Sequence, residues 1–204
     1  DADNELLSLS AESNAFRSIT DIAFYTPDHP GLFSQLAGAV SVSGGSIVDA
    51  KAFTTTDGFA LDVFSVQDAE GGPFGDVRRI NRLRDSITKT LSGQMYPRKA
   101  LAKREEGRRQ IAAFRMTPRV NFDNDASATA TVIEVEGLDR PGLLYDVTRA
   151  IFDSSLSISS SIVATYGERA IDTFYVRDSF GHKIKHPDKL AAVQKTILAA
   201  LEGA

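Results

Sequence analysis

Apolar and polar residues alternate in two stretches of the chain, and each stretch runs into a loop that contains proline and glycine. Ile22 and Phe24 alternate with their neighbours before the first loop, and Ile133 and Val135 do so before the second. A period of two is typical of a β-strand with one buried face. The pattern therefore predicts a strand that enters each loop.

Helical periodicity follows each loop. Apolar positions recur one, three, one and three residues apart, as on one face of an amphipathic helix. They are Leu32, Phe33, Leu36, Ala37 and Val40 in the first stretch, and Leu143, Leu144, Val147, Thr148 and Ile151 in the second. Ser43-Gly44-Gly45 predicts the end of the first helix, since glycine adopts the left-handed cap conformation at little cost. Ser154-Ser155 holds the equivalent place and predicts a weaker stop.

Two β-rich runs and a final helix complete each stretch. The runs cover residues 47–55 and 59–66 in the first stretch, and 158–165 and 170–176 in the second. Thr56-Asp57-Gly58 and Gly167-Glu168 are the turn signals between them. The final helices have apolar residues at 77, 80, 83, 87 and 91, and at 190, 193, 197, 198 and 201.

These parallels indicate an internal repeat. Asp28-His29-Pro30-Gly31-Leu32-Phe33 recurs as Asp139-Arg140-Pro141-Gly142-Leu143-Leu144, and the strand Ala60–Val66 recurs as Ala170–Val176. We predict two homologous β-α-β-β-α units of class α+β. A fourth strand would give each unit the ferredoxin-like βαββαβ arrangement. Residues 119–123 are the candidate for that strand in the first unit, and in the second unit it is missing or borrowed.

The predicted organisation has four parts. An N-terminal segment covers residues 1–18, the first domain 19–91, a connector 92–129 and the second domain 130–204. Seven Lys and Arg residues against two Glu residues make 92–118 basic. A docking patch for nucleic acid, an anionic membrane or an acidic protein is one interpretation. We favour a solvated linker, helical over residues 99–113, because its Ala, Leu and charged residues are good helix formers.

Composition narrows the classes of function. The chain has 42% hydrophobic residues, a net charge of −4 and no Cys, so it lacks a thiolate nucleophile and a Cys-based zinc site. No run approaches the roughly 18 apolar residues of a membrane helix. We expect a cytoplasmic protein without membrane contact. The start at Asp1 rather than Met suggests a processed or excised piece.

Candidate catalytic and nucleic-acid sites are weak. His182 and His186 are four residues apart, but Gly181 and Pro187 argue against a metal-binding helix face, so we predict loop residues. Asp123-Asn124-Asp125 is predicted to be a loop rather than a metal site. No phosphate-binding motif is present. The strand after Gly58 resembles an aromatic RNA-binding strand, but Asp62 within it and the acidic units predict no nucleic-acid partner.

The repeated Asp-x-Pro-Gly-Leu loop is a stronger candidate for a ligand-binding site. Proline presets the first helical turn, glycine permits close backbone approach, and free amides at a helix N-terminus favour an anion. The α-carboxylate of an amino acid is such an anion, and its ammonium group would pair with Asp28 or Asp139. Alternatively, each Asp only caps its helix. The residues alone leave both roles open.

This loop within a βαββα unit resembles that of ACT domains, regulatory modules that bind amino acids at domain interfaces. The second loop and the stretch Gly167-Glu168-Arg169 through Asp172-Thr173-Phe174-Tyr175-Val176 are similar to the tandem ACT region of the bifunctional uridylyltransferase/uridylyl-removing enzymes of bacterial nitrogen control. The resemblance implies glutamine as ligand and the PII signalling protein as a partner of the parent enzyme. Magnesium and UTP are implied for that parent, and no cofactor for this segment.

The family's catalytic motifs are missing, since Gly45-Ser46 has no Asp-x-Asp pair soon after it and no His precedes an Asp. We therefore expect regulation without catalysis. The alternative is a free-standing ACT repeat that senses another amino acid. The ACT analogy implies that the two domains pair, within or between chains, and form pockets between one loop and the neighbour's strand. The implied site residues are Asp28, Pro30, Gly31, Leu32, Ser46 and Ile47, and Asp139, Arg140, Pro141, Gly142, Leu143, Leu144, Ser157 and Ile158.

Overall fold

A computed structural model describes residues 7–102 and 116–203. The chain divides into two compact units, Asp1–Leu101 and Ala102–Ala204. Both units combine an antiparallel sheet with helices, so the predicted α+β class is confirmed.

The described residues of the first unit form four strands and two long helices. They follow in the order β1 (Ser8–Asn14), β2 (Ile19–Pro27), α1 (Leu32–Val42), β3 (Ser46–Thr54), β4 (Phe59–Gln67) and α2 (Val77–Leu91). The strands lie in the order β1-β2-β4-β3, and each neighbouring pair is antiparallel. A further helical segment begins at residue 97 and is described as far as 102. The rest of the helix predicted for 99–113 lies outside the described residues.

The second unit repeats this arrangement. Its elements are β5 (Arg119–Asp123), β6 (Thr131–Leu138), α3 (Leu143–Asp153), β7 (Leu156–Tyr166), β8 (Arg169–Asp178) and α4 (Pro187–Glu202). The strand order is β5-β6-β8-β7, again antiparallel throughout. The two units therefore share the order β-β-α-β-β-α.

The extra strand is where the structure differs from the prediction. Residues 119–123 pair with β6 of the second unit and not with the first unit, so that assignment is wrong. The first unit instead takes β1 from the segment 1–18, for which no element was predicted. A short connection of residues 15–18 joins β1 to β2, and such local antiparallel pairing closes a small loop at little entropic cost. The sequence does not predict β1 because it is an exposed edge strand with few apolar residues.

The predicted apolar positions form the cores. In the first unit Ile22 and Phe24 of β2 are fully buried, as are Leu36 and Val40 of α1. The core of the second unit contains the equivalent residues, among them Ile133, Val135, Val147 and Ile151. Burying a side chain of this size contributes about 1.5 to 3 kcal/mol. These cores hold the start of each first helix, and hence each Pro-Gly loop, at one end of its sheet.

The predicted helix ends are confirmed as well. Helix α1 ends at Val42, and Gly44 after it has φ of 88°. Helix α3 ends at Asp153, and Ser155 has φ of 58°, which is unusual for a residue with a side chain. The second stop is therefore made at a strained position, as expected where serine replaces glycine.

Candidate ligand-binding loops

The first Pro-Gly loop is joined to the neighbouring hairpin. The backbone amide of Asp28 donates to the carbonyl oxygen of Gly58 at 2.9 Å. The carboxylate Oδ2 of Asp28 accepts a hydrogen bond from the hydroxyl of Thr54 at 2.8 Å. Gly31 is the N-cap of α1 with φ of 81°, and no side chain caps the helix. Glycine is needed at this position because the left-handed conformation strains other residues.

The second loop has the same backbone arrangement. The amide of Asp139 donates to the carbonyl oxygen of Glu168 at 2.8 Å, and Gly142 is the N-cap of α3 with φ of 84°. Again no side chain caps the helix. The capping role that the sequence left open for Asp28 and Asp139 is therefore wrong. Among the described residues, no side chain caps the first amides of either helix, and such a terminus attracts anions.

The residue after each Asp distinguishes the two loops. Arg140 donates from Nη2 to Oδ2 of Asp146 at 2.7 Å and to the carbonyl oxygen of Ala200 at 2.8 Å. The side chains of Arg140 and Asp146 are 15% and 7% exposed. His29 stands at the matching position and is exposed, with Nδ1 3.2 Å from the carbonyl oxygen of Pro30. Arg140 thus connects the second loop to helices α3 and α4, and its guanidinium is already engaged.

Other predicted loop residues lie in different surroundings. The side chains of Leu32 and Leu143 are both 3% exposed and belong to the cores, so only their backbones could face a ligand. Leu144 packs against the core of the second unit. Pro30 is exposed and Pro141 is half-buried.

The predicted strand residues lie at the other end of each sheet. Ser46 is opposite Gln67, whereas the hairpin that contacts Asp28 is at the far end of the same strands. Ser157 is likewise opposite Arg177. Ile47 is buried and Ile158 packs against the core of the second unit. Neither unit brings these residues to its own loop, so the predicted pocket requires a neighbouring domain, and domain pairing stays a prediction.

Two buried carboxyl groups behind the loops were not predicted as site residues. Asp62 and Asp172 occupy equivalent positions on β4 and β8 and are 3% and 2% exposed. Burial, with a further contribution from the charge of Asp28, raises the pKa of Asp62 to about 7, although the backbone amide of Phe53 opposes this. The signal for them was in the sequence: an Asp interrupts the same buried alternation in both repeats.

Asp172 has a similar environment. Burial is the largest cause that raises its pKa to about 7; the amide of Ala164 opposes it and the charge of Asp139 adds to it. Its Oδ1 atom and the hydroxyl of Ser161 are buried without hydrogen-bond partners in the described ranges. Unpaired polar atoms in a core cost free energy. The second unit therefore holds two buried polar atoms that no described residue satisfies, and one of them belongs to Asp172, which interacts with Asp139 of the loop.

The weak sequence candidates are placed as follows. Oδ1 of Asp123 accepts the backbone amides of Asp125 and Ala126, which hold its pKa below the usual range. Asp123 is the last residue of β5, so the loop prediction is confirmed for Asn124 and Asp125 but not for Asp123. His186 lies 3.7 Å from Asp188 through Nδ1. Within residues 7–102 and 116–203, no group of three or more His, Asp or Glu side chains could hold a metal ion. None of the helices described is long and apolar enough to cross a membrane.

Comparison with known proteins adds a family model and curated relatives. A model described as "ACR9-like, ACT-like domain" matches residues 119–202. This match begins at the first residue of β5, which agrees with the placement of that strand in the second unit. The chain is 49% identical over 201 residues to the bifunctional uridylyltransferase/uridylyl-removing enzyme of Azospirillum brasilense. It is 50% identical over 190 residues to the enzyme of the same name from Gluconobacter oxydans.

These alignments cover 98% and 92% of this chain but 22% and 20% of the relatives, so the chain spans about a fifth of their length. A crystal structure of aspartate kinase from Synechocystis overlaps 88% of this chain and 27% of that chain, with 16% identity and a TM-score of 0.44. That overlap is too low to extend the argument. The high identity confirms the resemblance in the sequence: the chain is related over nearly its whole length to part of the bifunctional uridylyltransferase/uridylyl-removing enzymes. Its second unit is similar to an ACT-like domain.

Proposed function

We propose that the chain is a tandem ACT module that senses glutamine and controls the uridylyltransferase and uridylyl-removing activities of a PII-modifying enzyme in the cytoplasm. One observation carries the proposal: two equivalent loops present an uncapped helix N-terminus beside an aspartate, in a chain with close relatives among those enzymes. Magnesium and UTP would act in other parts of the longer protein, and no step is assigned to them here.

Each loop offers complementary groups for an amino acid. The first-turn amides of α1 or α3, with the helix dipole, suit the α-carboxylate. The ammonium group needs an anionic acceptor, and the adjacent Asp28 or Asp139 provides one. Both halves of a zwitterion would then be held by residues that are close in sequence.

The second loop is the stronger candidate. In the described part of the chain, the carboxylate of Asp139 has no hydrogen-bond donor, whereas that of Asp28 accepts the hydroxyl of Thr54. Arg140 holds the loop against two helices, so little conformational entropy remains to be lost on binding. The pocket would be completed by Ser46 and Ile47, or Ser157 and Ile158, of a paired domain.

Calorimetry of the chain with each of the twenty amino acids tests the ligand. We expect saturable binding of glutamine and weak or no binding of the others. Preferential binding of a different amino acid would favour a free-standing sensor of that compound. The absence of saturable binding by every amino acid would contradict the sensor function as a whole.

Asp139→Asn tests the ammonium contact. Loss of a charge-assisted hydrogen bond should weaken glutamine binding by about 1.5 to 3 kcal/mol, which is roughly ten- to a hundredfold. The fold should be unaffected, because this carboxylate does not cap the helix. Asp28→Asn is the matched control and should reduce affinity less. Equal affinity in both variants and the parent would exclude the carboxylates as ligands.

Regulation without catalysis has its own test. The purified chain should neither attach UMP to PII protein nor remove it, with magnesium and UTP supplied. A mock purification without the chain controls for contaminating enzymes. Turnover by the purified chain that is absent from the mock purification would overturn this assignment.

A further inference from the structure

The second unit has an open cleft at the end of its sheet opposite the Pro-Gly loop. Its volume is about 760 Å³, which is within the range of small-molecule sites. Side chains that line it include Thr129, Arg177, Asp178, His182, Lys183 and Lys185. Three basic side chains and one histidine therefore surround a single carboxylate.

The carboxylate is already occupied by the backbone. Oδ1 of Asp178 accepts the amides of Phe180 and His182 at 2.9 and 2.8 Å. These hydrogen bonds, above all that from His182, hold the pKa of Asp178 below its usual range. The carboxylate is therefore ionised and its Oδ1 atom is bonded to the backbone of the turn. It neutralises one of the three cations. The cleft keeps a net positive charge, and Asp123, which interacts with Lys183, is outside its lining.

Two of the three cationic groups, Arg177 and Lys183, are held in place by hydrogen bonds. Arg177 donates from Nη2 to the hydroxyl of Thr129 at 2.9 Å, while its Nε is buried without a hydrogen-bond partner among the described residues. Lys183 donates to the carbonyl oxygen of Asn124 at 2.7 Å, which fixes its ammonium group at the cleft. Lys185 is exposed. A positioned guanidinium and ammonium groups suit phosphate or carboxylate oxygens.

The first unit shows that the fold does not need these charges. Its turn has the same backbone bond, from the amide of Asp68 to Gly72 at 2.8 Å, as the turn from Asp178 to His182 at 2.9 Å. The matching residues there are Gln67, Gly72, Pro73 and Gly75 in place of Arg177, His182, Lys183 and Lys185. Both turns place one apolar residue in the core, Phe74 or Ile184. The positive charge is thus an addition to a turn that forms without it.

We propose that this cleft of the second unit binds a small polyanion, through Arg177, Lys183 and Lys185, at a site separate from the Pro-Gly loops. Phosphate groups and multiple carboxylates share the chemistry that these side chains recognise. The proposal does not rest on amino-acid sensing, since no residue of either loop lines the cleft.

The test uses the whole chain titrated with pyrophosphate, and separately with citrate, without metal ions. Backbone amide resonances of Gly181 and His182 should shift saturably, and the affinity should fall as salt is raised. Binding of pyrophosphate alone would identify a phosphate site, and binding of citrate alone a carboxylate site. No saturable shift with either compound would overturn the proposal.

Variants assign the site to these residues. Arg177→Gln, which introduces the residue of the first unit, and Lys185→Gln should each weaken binding about tenfold. Lys195→Gln removes the same charge from the exposed surface of α4 and should leave affinity unchanged. Lys185 has an exposed side chain, so K185Q remains informative if R177Q misfolds. Unchanged affinity in K185Q and in a folded R177Q, or an equal loss in K195Q, would contradict the assignment.

Discussion

The two Pro-Gly loops share a backbone but differ in what holds them. In both, the Asp amide contacts the neighbouring hairpin and a left-handed glycine starts the helix. The first loop is exposed and is held at its Asp by the hydroxyl of Thr54. The second is held by Arg140, which reaches Asp146 and the last turn of α4. Side chains beside a backbone that both loops share can therefore decide which residues hold each loop, and whether its Asp carboxylate accepts a hydrogen bond.

A second pair of positions accompanies the difference between Arg140 and His29. Asp146 lies in the first turn of α3, and Gln35 is its counterpart in α1. A buried arginine is tolerated only where charged and polar partners satisfy it. In the second unit Asp146 and the carbonyl oxygen of Ala200 meet that need, and a helix C-terminus also favours a cation. With Gln35 in place of Asp146, the first unit has an uncharged residue where a buried arginine would need a carboxylate.

Arg140→Met should have the largest effect. It removes the cation that contacts the buried carboxylate of Asp146 at 2.7 Å, and breaking a buried ion pair typically costs about 3 to 5 kcal/mol. Urea unfolding monitored by signals of the second unit measures the loss. His29→Met at the matching exposed position should change stability by less than about 0.5 kcal/mol. Comparable losses in the two variants would show that the loops are held equally.

The buried carboxyls should give both units a similar pH dependence. In the folded state the pKa values of Asp62 and Asp172 are raised from 3.8 to about 7. The folded state therefore binds more protons than the unfolded chain between these values, so stability is highest below pH 4 for these groups and falls as pH rises toward 7. Each group accounts for up to about 4 kcal/mol of this loss.

Asp172→Asn and Asp62→Asn should remove that dependence from their own units. Each variant should be more stable than the parent above pH 7 and close to it near pH 4, as measured by urea unfolding across the range. Asp153→Asn, at an exposed site, should follow the parent curve. A parent curve that is flat between pH 4 and 7 would mean that neither carboxyl retains its proton on folding.

Gly142→Ala and Gly31→Ala probe what the loops have in common. Both glycines have φ above 80°, and a left-handed conformation costs an alanine about 1 to 2 kcal/mol. Thermal unfolding should show similar losses in the two variants, because the backbone requirement does not depend on Arg140. A loss of thermal stability in Gly142→Ala alone would indicate that the first loop can change its backbone conformation to accommodate alanine.

Most elements of the fold were available in the sequence because apolar periodicity is strong where a face is buried. The strands β2 and β6 and all four long helices were predicted from that signal. Edge strand β1 gave no such signal, since nearly all its side chains are exposed. Strand β5 was found but assigned to the wrong unit, because periodicity identifies a strand and not its partner.

The candidate site was predictable only in part. Glycine, proline and helix spacing indicated uncapped helix starts, which depend on local backbone geometry. The engagement of Arg140 by Ala200 joins residues distant in sequence, and no local pattern encodes such a contact. The sequence shows an Asp within the same apolar strand of both repeats, Asp62 and Asp172. Only the structure shows that both carboxyl groups are buried.

Thr54→Val should have the smallest effect and would make the first loop more like the second. It removes the hydroxyl that donates to Asp28 and keeps the shape of the side chain in an exposed strand, so the stability loss should be about 0.5 to 1 kcal/mol. Thr165 is the counterpart, opposite Ala170 as Thr54 is opposite Ala60, and among the residues described its hydroxyl makes no bond to Asp139. Thr165→Val should therefore be nearly neutral.

If availability of the carboxylate limits binding, Thr54→Val should also raise the affinity of the first loop for glutamine in calorimetry of a chain that carries Asp139→Asn. An unchanged affinity would show that the hydrogen bond from Thr54 to Asp28 is not what distinguishes glutamine binding by the two loops.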